Sequence, residues 1–218
     1  MFKMDEKFFD ELKERIQPFF EGVNSCHDFS HTERVRNLAL QIGEKEGADL
    51  EIINVAALLH DIARKEQDES NGKICHAIRG AELAKKVLEE LEYDPDKIQQ
   101  IIHCIATHRF RDENNRPESI EAKVLFDADK LDAIGGIGIL RAASFSGHIG
   151  AKVHNEKVHA NNAKDYSKDD TAFREFLVKL SKIKDKILTS SGKQIAEERN
   201  CFMENFFNQV NKEVMGEL

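Results

Sequence analysis

Histidine and aspartate are the side chains here with the most to offer chemically, and they recur together. Two His-Asp doublets occur, His27-Asp28 in CHDFSHTERV and His60-Asp61 in LLHDIAR, and His31 stands four residues after His27. Neutral imidazole and ionised carboxylate both present lone pairs to a divalent cation. A doublet alone is weak, because a hydrogen-bonded core histidine beside an aspartate that opens a turn accounts for it equally well. Phase discriminates: ligands must converge, so each must lie on the inward side of its helix.

His31 lies four residues before Val35 and seven before Leu38, so it extends an apolar stripe. His108 lies seven after Ile101 and three after Ile105, again on the stripe, whereas His103 is two from Ile101 and points elsewhere. His76, four before Gly80, sits at the edge of an inward face. Asp129 is four after Leu125 and Asp132 three further on, so the two share a flank that Asp127 opposes. His60-Asp61 ends the apolar run IINVAALL. A carboxylate buried there without a partner is costly, and a metal ion removes that cost. Taken together, His31, His60-Asp61, His108 and Asp129 point to a metal site. His27 and Asp28 precede the helix; they line a pocket mouth, or Asp28 caps the helix.

The elements that must position these groups are helices. Apolar residues recur at helical spacing almost throughout. Helices are expected over about 4–20, from Ser30 or His31 to Gly47, over 50–63 and 74–91, and from Asp94-Pro95 onward. Proline suits a first helical turn. Residues 50–63 are apolar on all sides, which places that helix at the centre of a bundle. A sixth helix carries Val124, Leu125, Ala128 and Leu131 and runs on through GGIGILRAA. Residues 146–170 are polar, hold three of the nine histidines and read as a loop or lid. Two amphipathic helices follow, joined by TSSG at 189–192 into a hairpin. The expectation is an all-α single domain: a helical core over about 22–145, the 146–170 segment, and a C-terminal helical hairpin over 171–215.

Composition excludes several classes. No apolar run is long enough to span a bilayer, and MFKMDEKFFDELKERI reads as an amphipathic helix rather than a signal peptide. Cys26, Cys75, Cys104 and Cys201 form no Cys-x-x-Cys pair, which argues against a zinc ribbon or a disulfide framework and favours a cytoplasmic location. The net charge of -8 disfavours broad nucleic-acid binding. GGIG at 135–138 lacks a following Lys-Ser/Thr and reads as a close helix contact, not a phosphate loop. The row Phe202, Phe206, Phe207 is core or a homodimer face.

The order His31, His60-Asp61, Asp129, with the surrounding texts HTERV, AALLHDIA and LFDADKLDAIGGIG, resembles the metal signature of HD-domain phosphohydrolases. The C-terminal part, from Lys179-Leu180 to Phe206, is similar to that of small HD hydrolases, so the likeness covers nearly the whole chain. The resemblance implies an HD-domain helical bundle, a divalent metal held by His31, His60, Asp61 and Asp129, and hydrolysis of a phosphate ester. It also implies places for a second metal at His76 and His108, with Asp61 between the two ions. The text HDIAR departs from the HD-x-Gly-Lys form of many two-metal relatives, which leaves the second metal open. Mn, Fe, Co, Ni, Zn and Mg all suit the donor set.

Such chemistry needs a proton acceptor and cations for phosphate. Asp61 and Asp132 are the candidate catalytic carboxylates, with a hydrogen bond to a ligand as the alternative role of Asp132. Arg34, Arg109, His27 and Lys130 are the candidate substrate-binding groups, the arginines foremost because they grip phosphate bidentately. Arg64 and Lys65 serve equally well as solvated charges. The expected substrate is a small phosphorylated molecule such as a nucleotide. A cyclic or linear dinucleotide phosphodiesterase and a non-catalytic ligand-binding protein are the competing readings.

Overall fold

The computed structural model describes residues 6–22, 28–109 and 115–218. Every regular element among the described residues is helical, as expected of an all-α chain. The chain forms two compact units, Met1–Asp129 and Lys130–Leu218.

The first unit holds α1 (Glu6–Ile16), α2 (Phe29–Glu46), α3 (Leu50–Leu59), α4 (Arg64–Glu69), α5 (His76–Glu90), α6 (Pro95–Thr107) and nearly all of α7 (Ile120–Leu131). Helix starts follow local chemistry. Asp28 caps α2 by accepting from His31 N at 3.1 Å, and Asp49 caps α3 by accepting from Glu51 N at 2.9 Å. Asp94 caps α6, with Pro95 in its first turn. Side-chain oxygens here satisfy N–H groups that have no partner within the helix. As its composition demands, α3 is buried from Ile52 through Leu59 and packs against α2 and α6. Gly43 on α2 allows close approach, since a Cβ there would meet Leu50 Cδ2 at 3.2 Å and press on Ile53. The short helix α4 carries no apolar periodicity, and the sequence pattern does not predict it.

The second unit holds α8 (Gly135–His148), α9 (Lys157–Asn162), α10 (Ala172–Val178) and α11 (Ser190–Met215). The helix expected to run on past Leu131 is broken by a turn over residues 132–134, and the chain restarts as α8 at Gly135, whose φ of +77° suits glycine. The side chain of Arg199 lies over Gly135 and donates to the Leu131 carbonyl at 2.6 Å. The expected close contact at GGIG is thus present, made with α11. Residues 146–170, expected as a loop or lid, carry α9 and are tied down. Buried Arg174 donates to Asp170 at 2.8 Å, Asp165 at 2.6 Å and the Ala163 carbonyl at 3.1 Å. TSSG at 189–192 opens α11 instead of forming a hairpin turn, with Thr189 Oγ1 accepting from Gly192 N at 3.0 Å. Before it, α10 stops at Val178 and two 3-10 turns fill Leu180–Lys186.

Candidate metal centre

The first unit gathers its donors from helix ends. His60 and His108 are the C-terminal caps of α3 and α6, His76 is the first residue of α5, and His31 lies in the first turns of α2. Asp61 follows α3 directly and Asp129 lies near the end of α7. Two groups form: His31, His60 and Asp129, and Asp61, His76 and His108, with the ligand atoms of each group within 4.8 Å of one another. His31 Nε2 stands 3.4 Å from His60 Nε2 and 3.5 Å from Asp129 Oδ1. His76 Nε2 stands 3.1 Å from His108 Nε2.

Asp61 faces both groups. Its Oδ2 lies 3.7 Å from the Nε2 atoms of His31 and His60, and its Oδ1 lies 3.2 Å from His76 Nε2 and 3.8 Å from His108 Nε2. All of these side chains are buried except that of Asp129, which is 17% exposed.

The donor set fits a divalent cation. His60 Nδ1 lies 2.7 Å from the Ala57 carbonyl and His108 Nδ1 2.6 Å from the Ile105 carbonyl. A carbonyl only accepts, so both Nδ1 atoms carry the proton and both Nε2 atoms present lone pairs. His76 Nδ1 lies 2.8 Å from Gln67 Oε1 and is fixed the same way. The Nε2 lone pairs of His76 and His108 then point at each other across 3.1 Å, an arrangement that needs a proton or a cation between them. Burial is the main influence on His76 and pushes its imidazole down to about 2, against the pull of Asp61. A divalent cation, accepting both lone pairs, fits this geometry.

The remaining candidate residues have varied surroundings. Arg34, on α2, donates to Ser30 Oγ at 2.9 Å, and Ser30 donates to Asp28 at 2.6 Å. Arg109 donates to Gln67 Oε1 at 2.6 Å. Asp132 belongs to the second unit, where Arg141 donates to its carboxylate at 2.8 Å and its carbonyl at 3.1 Å. Lys130 is the first residue of that unit and is half-buried. His27 lies outside the described residues. Arg64 pairs with Asp68 at 3.3 Å. Gln67 is a site residue that the sequence does not flag by any spacing, because it meets His76 only through the packing of α4 on α5.

A buried His/Asp centre in a helical bundle defines a class, and similarity to known proteins names it. The HD domain profile matches residues 28–134, which include all six donors. The chain belongs to the HD-domain family. It is 34% identical to YpgQ of Bacillus subtilis over 213 residues, covering 95% of this chain and 94% of that one. The structure of YpgQ in complex with ADP superposes with a TM-score of 0.73 at 32% identity, covering 95% of each chain. An HD-superfamily hydrolase from Bacillus thuringiensis gives 0.72 at 32% identity, covering 95% of this chain and 96% of that one. Among the described residues no helix is long and apolar enough to cross a membrane.

Proposed function

We propose that the chain is a divalent-metal-dependent phosphohydrolase acting on a small phosphorylated molecule, with a nucleotide as the favoured class. The observation that carries this reading is the pair of donor groups around Asp61, whose lone pairs converge in a buried setting. ADP bound to YpgQ supports the nucleotide class. A divalent ion supplies Lewis-acid stabilisation of phosphoryl charge and acidifies water.

The chain's own residues have separate tasks. His31, His60, Asp61 and Asp129 would hold one ion, and His76 and His108, sharing Asp61, would hold a second. Asp61, facing both groups, orients water and accepts its proton. Asp132 is the alternative acceptor, but its charge-assisted bond to Arg141 favours an anchoring role. Arg34 and Arg109 bind phosphate oxygens, with His27 and Lys130 in supporting positions. The free thiols of Cys75, Cys104 and Cys201 fit a reducing cytoplasm. Phe202 and Phe206, exposed on α11, support a homodimer, which sedimentation of the purified protein tests.

Metal analysis of the purified chain, followed by phosphatase and phosphodiesterase panels with added Mn, tests the function. Release of phosphate or pyrophosphate from nucleotides is the expected result. Metal and nucleotide binding without turnover would instead make this a regulatory ligand-binding protein. Turnover of cyclic or linear dinucleotides alone would make it a phosphodiesterase. Absence of bound metal under all conditions would sink the proposal.

A further inference from the structure

A histidine directs Nε2 at a metal only when its proton sits on Nδ1, and the group beside Nδ1 decides this. His60 and His108 solve the problem locally. Each caps the C-terminal end of a helix, where carbonyls of the last turn have no helical partner. Ala57 and Ile105, three residues back in each case, supply the acceptor. His76 has no such resource. It opens α5, and a helix N-terminus offers N–H donors but no carbonyl of its own turn. Its acceptor comes from elsewhere: Gln67 Oε1, 2.8 Å from Nδ1.

The orientation of the Gln67 amide is itself determined. Arg109 Nη1 lies 2.6 Å from the same atom, and a guanidinium only donates, so that atom is the carbonyl oxygen and not the amide nitrogen. The backbone N–H of His76 also approaches it, at 3.5 Å. Gln67 is buried, which limits any turn of its amide toward solvent. Arg109 directly follows His108, so one oxygen links the α6 end that carries one imidazole to the α5 start that carries the other.

We propose that Gln67, held by Arg109, is the positioning residue that selects Nε2 of His76 as a metal ligand, and that the Asp61, His76, His108 group binds its cation tightly only while this bond is made. The inference rests on the metal-centre reading above. It assigns a role in metal loading to a side chain outside both donor groups, and it gives Arg109 a second task beyond phosphate. An amide suits the position because it is neutral and accepts from both neighbours at once, leaving the charge of the donor group to Asp61.

The full chain is compared with Gln67→Met, which keeps the shape and removes the acceptor, and with Gln67→Glu, which keeps the acceptor. Two readouts are used. Nitrogen-15 NMR of the metal-free protein reports the tautomer of His76, and Mn titration followed by calorimetry and electron paramagnetic resonance counts ions and their affinities. The wild type is expected to show the Nδ1–H tautomer and two bound ions. Gln67→Met should give mixed tautomers and weaken one ion by about 10–100-fold while the other is unchanged. Gln67→Glu should restore both readouts. Wild-type tautomer and affinities in Gln67→Met would overturn the inference and leave the metal reading intact. Equal loss in Gln67→Met and Gln67→Glu would also overturn it, because an acceptor is present in the second. A wild type that binds fewer than two ions would instead remove the metal-pair reading, and the inference with it.

Discussion

Asp61 carries the greatest burden among single residues, because each of its oxygens serves a different donor group. Substituting it deprives both groups of their nearest carboxylate. Asp61→Ala should therefore weaken Mn binding at both positions by at least about 100-fold, the upper end of what is lost even when an outer partner of a ligand is removed. His60→Ala should weaken one position and spare most of the other. Elemental analysis after dialysis reads both outcomes, and full metal content in either variant would refute the assignment. These residues were legible in the sequence because phase and order bear on them directly: His31 and His108 fall on apolar stripes, and Asp61 ends an apolar helix. The role of Gln67 was not legible. It sits on a six-residue helix with no periodicity to read, and its partners stand 9 and 42 positions away.

At the scale of elements, the centre depends on α3 being fixed at the heart of the first unit. Leu58 and Leu59 are fully buried immediately before His60. Leu58→Ala should cost about 2–5 kcal/mol of stability, the range for removing a buried leucine side chain, measured by urea denaturation. A cost near zero would show that α3 is not packed as described. A second contact set ties α3 to α6: Lys97 Nζ lies 2.5 Å from Glu51 Oε2, and Tyr93 donates to Glu51 Oε1 at 2.6 Å. Burial alone would raise the Glu51 carboxyl, but the bonds to Lys97 and Tyr93 outweigh it and hold its pKa below 4.5. A depressed carboxyl stabilises the fold most when both folded and unfolded forms are ionised. The Glu51 contribution is thus complete above about pH 4.5 and lost as pH falls through the folded value. The stability difference between wild type and Glu51→Gln should shrink from pH 7 to pH 3, and a constant difference would contradict this. Helix starts were legible through Asp94-Pro95 and Asp28, which act locally. The break between Leu131 and Gly135 was not, since residues 132–134 and the left-handed glycine after them lie in a run that otherwise suits a helix.

Across the whole molecule, every donor comes from the first compact unit, yet the donors span residues 31–129 and belong to segments that meet only when that unit is folded. A cation that binds the folded form alone stabilises it by about 2.7 kcal/mol at a hundredfold excess over its dissociation constant. Chelation should lower the melting temperature and Mn should restore it. In hydrogen exchange, the protection gained with Mn should concentrate in α2, α3, α5, α6 and α7, and protection confined to α10 and α11 would contradict the assignment. The all-α class was legible from periodicity throughout, but the division into two units was not, because α7 runs through the boundary without any change in composition. The two-sided placement of Asp61 has a thermodynamic consequence of its own. An ion in one group would fix the carboxylate rotamer, so that a second ion would meet a ligand already oriented. Any such help is necessarily mutual, because the coupling free energy between two bound species is the same from either side. Repulsion between two neighbouring divalent charges would oppose that help, and the small loss left at the spared position in His60→Ala measures the balance between the two.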